Sequence, residues 1–137
     1  MNLFAYGTLM DIEILAGITR CRPDRQAAVL SGYSRHPVRG EVYPALVEKE
    51  GGRVAGVLYL DLPESVWPCL DRFEGEMYRR VSESVIDRNG LALPAGTYFC
   101  RPGFRHLLKE SEWSFEKFLK SGKMLFKDEY RGFNEVK

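Results

Sequence analysis

The sequence predicts an α+β fold, because strand-like segments fill most of its length and helical spacing dominates only near the end. Glycine-containing turn signals, Gly51-Gly52 and Asn89-Gly90, separate strand-like segments. From Ser111 onward the apolar residues follow a helical period. At 137 residues, the chain has the length of a single domain, 1–137, with one sizeable core.

The first element is a short apolar run, residues 3–6, which predicts a buried strand that ends at Gly7. Residues 10–16 have helical character, and Gly17 is the predicted C-terminal cap. A strand, a turn and a helix in succession leave several backbone N–H groups unpaired, so this turn is a candidate site for a carboxylate or phosphate. Gly7 would let a ligand approach the backbone, and Thr8 could donate its hydroxyl or cap the helix. An ordinary strand-to-helix turn is the alternative interpretation.

Three further strands are predicted at residues 26–33, 43–48 and 54–60. Residues 34–40 between the first two are predicted to form a loop. Gly51-Gly52 predicts a tight hairpin between the second and third, since such turns need positive φ values. Because residues 54–60 are nearly all apolar, we expect that strand to be central.

A helix is predicted to begin at Asp61 and Pro63 and to bury one face. The residues of that face are Val66, Trp67, Leu70 and Phe73. Pro68 should kink this helix or confine its regular part to Pro68 onward.

The rest of the chain predicts a hairpin followed by a helix. Its strands are residues 78–87 and 91–100, joined at Asn89-Gly90, with an interruption of the second strand at residues 94–96. The buried face of the last helix is predicted to carry Trp113, Phe115, Phe118 and Leu119, and an apolar tail continues through Met124, Leu125, Tyr130 and Phe133.

Composition and charge exclude several classes of protein. The formal net charge is +1 with no basic stripe, which argues against nucleic acid as a partner. No apolar run approaches the length of a membrane span, and we expect no membrane partner and a cytoplasmic protein. Cys21, Cys69 and Cys100 are far apart, which suits reduced thiols. With only two histidines besides, we expect no zinc site.

Glu74 is the candidate acid/base residue. It follows the apolar Phe73 at a predicted helix end, directly before Gly75, where a carboxylate is poorly stabilised and its pKa should rise. A carboxyl group with a raised pKa can act first as a base and then as an acid near neutral pH. A solvated glutamate is the alternative interpretation of this segment alone.

The neighbouring charged residues receive structural interpretations. Asp71 is interpreted as solvent-facing or helix-stabilising and Glu76 as a loop charge. The Arg79-Arg80 pair is interpreted as a solvated strand face, with pairing of Arg80 to a carboxylate as the alternative. A nucleophile pair of Cys100 with His106 stays open as an alternative, although neither residue lies in a recognisable nucleophile motif.

Four segments occur in an order that resembles the γ-glutamylcyclotransferase-like family, which includes plant proteins first noted for avirulence-induced expression. They are Phe4-Ala5-Tyr6-Gly7-Thr8-Leu9, Tyr43-Pro44-Ala45-Leu46, Val54-x-Gly56-x-Leu58-Tyr59-x-Leu60 and Leu70-Asp71-x-Phe73-Glu74-Gly75-x-x-Tyr78-x-Arg80. The resemblance spans about residues 3–100 and implies a small mixed β-barrel with short helices that encloses a substrate cavity. Pro68 departs from the family pattern.

The resemblance also implies roles for particular residues. Tyr6, Gly7, Thr8 and Leu9 match the loop that holds the glutamyl end of the substrate through backbone groups. Glu74 matches the acid/base glutamate, and Tyr78 an aromatic residue close to the cavity.

The expected activity is therefore that of a γ-glutamyl cyclotransferase acting on a small γ-glutamyl amine, amino acid or peptide. Such a substrate carries its own nucleophile, the α-amino group, so we expect no cofactor and no metal. The alternative is a non-catalytic small-molecule-binding or stress-associated protein on the same barrel.

Overall fold

The computed structural model of the chain describes residues 1–124, in which five strands close into a mixed barrel. The strands are β1 (Leu3–Ala5), β2 (Arg25–Pro37), β3 (Pro44–Tyr59), β4 (Tyr78–Asp87) and β5 (Ala92–Cys100). Around the barrel their order is β1-β3-β2-β4-β5. Neighbours are antiparallel except β5 and β1, which run parallel and close the barrel where Leu3 meets Gly96. The predicted α+β barrel with short helices is confirmed.

Within residues 1–124, three α-helices accompany the barrel: α1 (Ile12–Thr19), α2 (Trp67–Glu74) and the single turn α3 (Phe115–Lys117). A π-helical turn, Phe118–Gly122, continues α3. Shorter 3-10 turns occupy Thr8–Met10, Glu64–Val66 and Pro102–Leu107. Three residues of the predicted apolar tail, Leu125, Tyr130 and Phe133, lie outside the described residues.

The ends of α1 differ from the prediction. Asp11 is the N-terminal cap, and its Oδ1 accepts hydrogen bonds from the backbone N–H groups of Glu13 and Ile14. Gly17 is not the C-terminal cap, because the helix continues to Thr19 and Arg20 takes the left-handed conformation with φ 58°. The extra turn keeps Ile18 packed against the core, which outweighs the preference of glycine for a helix end.

The Gly51-Gly52 pair lies inside β3, so the predicted hairpin there is wrong. Strands β2 and β3 pair on both sides of a register shift, where Ser31 lies opposite Arg53 and Tyr33 lies opposite Glu48. Residues 49–52 of β3 therefore lie opposite Gly32 alone. The glycines form this bulge because Gly51 has φ +76°, and a Cβ on Gly52 would lie 2.4 Å from the carbonyl oxygen of Tyr33. Residues 34–37 are therefore strand rather than loop, and the chain reverses at residues 38–43.

The predicted β4–β5 hairpin is confirmed. Asp87 accepts hydrogen bonds from the N–H groups of Asn89 and Leu91 across the turn, and Gly90 has φ +81°. The interruption predicted at residues 94–96 is wrong, because these residues pair continuously with β4. Pro94 is tolerated since β5 has only a short contact with its other neighbour, β1.

The predicted buried faces of α2 and of the last helical segment can be compared with the burial of their residues. Pro68 lies in the first turn of α2, so the regular part of the helix begins there. This is the second of the two alternatives that the sequence predicted, a helix whose regular part is confined to Pro68 onward. Trp67 and Leu70 are buried. Near the C-terminal end Trp113 and Phe118 are buried, but Leu119 is 44% exposed, so its placement on the buried face was wrong.

The core has two parts. One consists of strand residues alone: Phe4, Tyr6, Ala28, Leu30, Leu46, Val54, Leu58, Val85 and Ala95. The other joins strands to helices through residues that include Leu15, Tyr59, Trp67, Leu70 and Trp113. Because side chains alternate along a strand, β1 contributes Phe4 to the first part and Leu3 and Ala5 to the second.

We predict that Gly56→Ala destabilises the protein, by about 1–3 kcal/mol in the free energy of unfolding. An added Cβ would lie 2.4 Å from the carbonyl oxygen of Ala5, so β1 would have to shift against β3. Gly17→Ala is the matched control: nothing lies within 4 Å of the added Cβ, and alanine should stabilise α1 by roughly 0.5–1 kcal/mol. Urea unfolding measures both, and a Gly56→Ala variant as stable as the parent would contradict the packing argument.

Candidate active site

A single cavity brings together all six residues that the sequence assigned to the site. It encloses about 340 Å³ of space, including its mouth. Its lining comprises Leu3, Phe4, Ala5, Tyr6, Gly7, Thr8, Leu9, Tyr43, Pro44, Glu74, Tyr78 and Tyr98. The elements that supply these residues are β1 and the turn after it, the start of β3, the end of α2, and strands β4 and β5.

The turn formed by residues 6–9 is fixed to the protein through its carbonyl oxygens, each of which accepts a hydrogen bond. In chain order the donors are Arg35 Nη1 at 2.7 Å, Met10 N at 3.0 Å, Asp11 N at 3.2 Å and Tyr59 Oη at 2.7 Å. Within residues 1–124, the N–H groups of Gly7, Thr8 and Leu9 donate to no protein acceptor. The turn is thus held by its acceptors, while its donors stay available to an occupant of the cavity.

Gly7 and Thr8 differ from the expected roles. A Cβ on Gly7 would lie 2.8 Å from Cδ and 2.9 Å from Cγ of Pro44, so the space that the missing side chain leaves is filled by the proline ring rather than by a ligand. Glycine is needed there for close packing of the turn against β3. Thr8 does not cap α1, because Asp11 does.

Glu74 is the last residue of α2, and Gly75, with φ +78°, ends the helix as predicted. The residue as a whole is half-buried, but its carboxyl group is surrounded by protein. Burial and, to a smaller extent, the negative charge of Asp71 together raise the pKa of Glu74 to about 8. The predicted direction is confirmed, although the contribution of Asp71 was not foreseen. Within the described residues no protein donor hydrogen-bonds this carboxyl group.

Asp71 connects α2 to the barrel wall. Its Oδ1 accepts a hydrogen bond of 2.6 Å from the hydroxyl of Tyr98 and lies 3.4 Å from Nε of Arg80. Arg80 thus pairs with a carboxylate, which was the alternative to its interpretation as part of a solvated strand face. The carbonyl oxygen of Tyr98 accepts a 2.6 Å hydrogen bond from the hydroxyl of Tyr6. Tyr98 therefore links the turn 6–9 to the helix that carries Glu74.

Tyr98 was missed by the sequence analysis, and the register of the β4–β5 hairpin could have found it. Counting outward from the three-residue turn 88–90 pairs Tyr98 with Arg80, two residues from Tyr78 on β4. Residues two apart on a strand point to the same face, so Arg80 and Tyr78 share a side of the sheet with Tyr98.

The cavity tyrosines are hydrogen-bond donors with fixed partners. Tyr78 donates to the carbonyl oxygen of Pro44 at 2.7 Å, as Tyr6 does to Tyr98. Burial raises the pKa values of Tyr6 and Tyr78 well above the usual value for tyrosine, so both stay protonated near neutral pH. Of these three lining residues, Glu74 is therefore the one whose proton exchanges in that range.

The alternative catalytic groups lie elsewhere. Burial raises the pKa of the Cys100 thiol, whereas an activated thiol needs a lowered pKa. His106 is exposed, and no hydrogen bond joins it to Cys100. His36 lies on β2, where Nε2 is 2.6 Å from Oγ of Ser34 and Nδ1 is 3.0 Å from the carbonyl oxygen of Ser111.

Two other kinds of feature, a metal-binding cluster and a membrane-spanning helix, are absent from residues 1–124. Across residues 1–124, no three His, Cys, Asp or Glu side chains lie close enough together to hold a metal ion. In the same part of the chain no helix has the length and apolar character required to cross a bilayer.

Several known proteins resemble this chain in sequence and in fold. The sequence is similar to AIG2-like protein A of Arabidopsis thaliana, with 26% identity over 99% of this chain and 82% of that protein. The fold is similar to the solution structure of an Arabidopsis thaliana protein, with a TM-score of 0.70, 27% identity and coverage of 98% of this chain and 82% of that one. A solved γ-glutamyl cyclotransferase shares the fold, with a TM-score of 0.63 and 18% identity over 74% of this chain and 66% of that chain.

The family described as "Gamma-glutamyl cyclotransferase, AIG2-like" matches residues 3–115, a range that contains the barrel, the turn and Glu74. The chain therefore belongs to the γ-glutamyl cyclotransferase, AIG2-like family.

Proposed function

We propose that this protein is a γ-glutamyl cyclotransferase that releases 5-oxoproline and a free amine or amino acid from a small γ-glutamyl compound. The observation that carries the proposal is the shared cavity of Glu74 and the turn 6–9. A carboxyl group that titrates near neutral pH faces the same space as a backbone segment whose donors are unused. An acid/base group and an anion-binding turn are the two parts that this reaction requires.

The turn is proposed to bind the glutamyl end of the substrate. Backbone N–H groups of residues 7–9 would donate to the α-carboxylate, because they lack protein acceptors and line the cavity. Tyr78 would contribute a wall rather than a proton, since its hydroxyl is engaged by Pro44. Binding the chain in a folded conformation brings the α-amino group to the γ-carbonyl, and such positioning can supply about 7–11 kcal/mol of the barrier.

Ring closure then needs one group that accepts a proton and returns it. The α-amino nitrogen attacks the γ-carbonyl carbon, and Glu74 takes the proton that this nitrogen loses. The bond between the γ-carbon and the leaving nitrogen breaks, and Glu74 returns the proton to that nitrogen. The five-membered ring of 5-oxoproline and the free amine are the products, with no net oxidation and no enzyme-bound acyl group.

The test of the proposal is a panel of γ-glutamyl amines, amino acids and peptides, with mass spectrometry for 5-oxoproline. Release from at least one member is the expected result. Binding of panel members without release would favour the non-catalytic alternative, a binding protein on the same barrel.

We predict that Glu74→Gln lowers turnover by roughly 10²–10⁴-fold, the usual contribution of a positioned acid or base. Glutamine keeps the size of the side chain but cannot exchange the proton, so substrate affinity should change little. Steady-state kinetics on the best panel substrate measure the effect.

Glu76→Gln is the matched control for this variant, because Glu76 is exposed two residues further along the chain and loses the same charge. Its turnover should stay close to that of the parent. A Glu74→Gln protein with near-parent turnover would show that the base lies elsewhere.

The pH dependence follows from the pKa of Glu74. With a folded-state value of about 8, the base form is a minority at pH 7, so kcat/KM should rise through neutral pH and level off above about 8. Asp71→Asn removes the negative charge that opposes ionisation, and the midpoint should move to lower pH. A midpoint near the ordinary glutamate value of about 4.3 would contradict the assignment.

Stability measured without substrate distinguishes the titration of Glu74 from that of the substrate's α-amino group. Because the folded pKa of Glu74 is raised, its contribution to stability is fully present below about pH 4.3 and is lost as pH rises through about 8. The Tm of Glu74→Gln minus the Tm of the parent should therefore be more positive at pH 9 than at pH 4. Thermal unfolding at the two pH values measures the difference, and a Tm difference independent of pH would contradict the raised pKa.

We predict that activity survives exhaustive dialysis against EDTA. The nucleophile comes from the substrate and the proton transfers are assigned to one carboxyl group, so the mechanism contains no step for a Lewis acid. Loss of activity that zinc or another divalent ion restores would overturn the mechanism.

A further inference from the structure

Arg35 holds the turn 6–9 from the side of strand β2. Its Nη1 donates to the carbonyl oxygen of Tyr6 at 2.7 Å and to that of Ala55 at 3.1 Å, and it lies 3.7 Å from Sδ of Met10. Arg35 is half-buried, and its guanidinium connects the turn to β3. No motif in the sequence singled this residue out.

The charge of Arg35 has no carboxylate partner in contact. Among the described residues it forms no ion pair, although the field of Glu112 acts on it and burial lowers its pKa. The Trp113 ring lies 5.2 Å from the guanidinium carbon and is itself fixed by a 2.9 Å hydrogen bond from its Nε1 to Val42. A neutral donor could make the same hydrogen bonds at a lower desolvation cost, so the charge needs a further explanation.

The peptide group that Arg35 contacts is the one that carries the N–H of Gly7. The carbonyl of Tyr6 and this N–H belong to a single planar unit and point in opposite directions. A positive donor at the oxygen draws electron density from the nitrogen, which strengthens the N–H as a donor. The Gly7 N–H donates to no protein acceptor in the described part of the chain, and Gly7 lines the cavity.

We propose that Arg35 is a positioning residue that holds and polarises the Tyr6–Gly7 peptide, so that the Gly7 N–H binds the α-carboxylate of a γ-glutamyl substrate. The proposal rests on the proposed function and adds a residue outside the cavity lining. The Trp113 ring keeps the guanidinium in place and packs against Phe118. These two aromatic residues near the C-terminal end of the described chain therefore support anion binding through Arg35.

The test compares binding of 5-oxoproline with binding of its neutral carboxamide. The two ligands have the same ring and differ in the carboxylate that the turn would bind. Calorimetric titration of both gives a ratio of Kd values for each protein, and this ratio cancels any loss of folded or active fraction. The variants are Arg35→Met, which removes the charge, and Arg35→Lys, which keeps it with fewer donors.

The parent should bind the carboxylate more tightly than the carboxamide. Arg35→Met should reduce this preference by roughly 10- to 100-fold, as expected for loss of a charge-assisted hydrogen bond, while Arg35→Lys retains part of it. Arg53→Met is the matched control, because Arg53 is an exposed residue on β3 and loses the same charge away from the cavity. Its preference should equal that of the parent.

Each other outcome identifies what failed. A preference unchanged in Arg35→Met would overturn the role of Arg35 and leave the proposed reaction standing. A parent that does not distinguish the two ligands would overturn anion binding by the turn, and the role of Arg35 with it. If the parent prefers the carboxylate and Arg35→Met reduces that preference, but no panel member yields 5-oxoproline, the proposed reaction is overturned while the role of Arg35 in anion binding is upheld.

Discussion

The geometry of the cavity depends on how the turn 6–9 is anchored. Its carbonyl oxygens accept from the side chains of Arg35 and Tyr59 and from the backbone of residues 10 and 11. A short turn between a strand and a helix would otherwise use water for several of these groups. With the acceptors satisfied from outside the cavity, the orientation of the peptide planes is fixed before any ligand arrives. Preorganised donors of this kind require no rearrangement when charge develops near them.

Burial of the Glu74 carboxyl group lowers the stability of the fold when that group is ionised. A carboxyl group with a pKa of about 8 destabilises the fold whenever it is ionised, and the nearby Asp71 carboxylate increases that cost. Asp71 is retained in a structural position, where it accepts from Tyr98 and pairs with Arg80. The same residue thus braces α2 against the barrel and raises the pKa of Glu74. Residues near a site that serve packing and electrostatics together are difficult to recognise from sequence.

The short strand β1 is held between two longer strands of the barrel, β3 and β5. Strand β1 has only three residues, yet it contacts β3 along its length and closes the barrel against β5. Gly56 permits the close approach of β1 to β3, since any side chain there would meet the backbone of Ala5. The packing of Pro44 against Gly7 repeats this arrangement at the turn itself. Two glycines therefore bring the site together by allowing backbone segments to approach.

Local signals in the sequence determined the parts of the protein that short-range physics controls. The Asn89-Gly90 turn, the end of α2 at Gly75 and the start of its regular part at Pro68 all follow from neighbours along the chain. The sequence also indicated the direction of the shift in the pKa of Glu74, although its main cause is burial in the folded protein. The order of four motifs indicated the family and the barrel, and the family is confirmed. The six assigned site residues do line one cavity, while their roles in binding and catalysis stay predictions.

Long-range packing decided the rest. Gly51-Gly52 has the conformational freedom of a hairpin, but the pairing of β2 with β3 on both sides of it makes it a bulge. Nothing near Gly7 in the sequence shows that Pro44 fills the space beside it, and nothing near Arg35 shows that its charge meets the carbonyl of Tyr6. The roles of Tyr98 and Asp71 arise from one hydrogen bond between residues 27 positions apart. Backbone preferences act over a few residues, whereas these contacts exist only once the closed barrel has brought distant strands together.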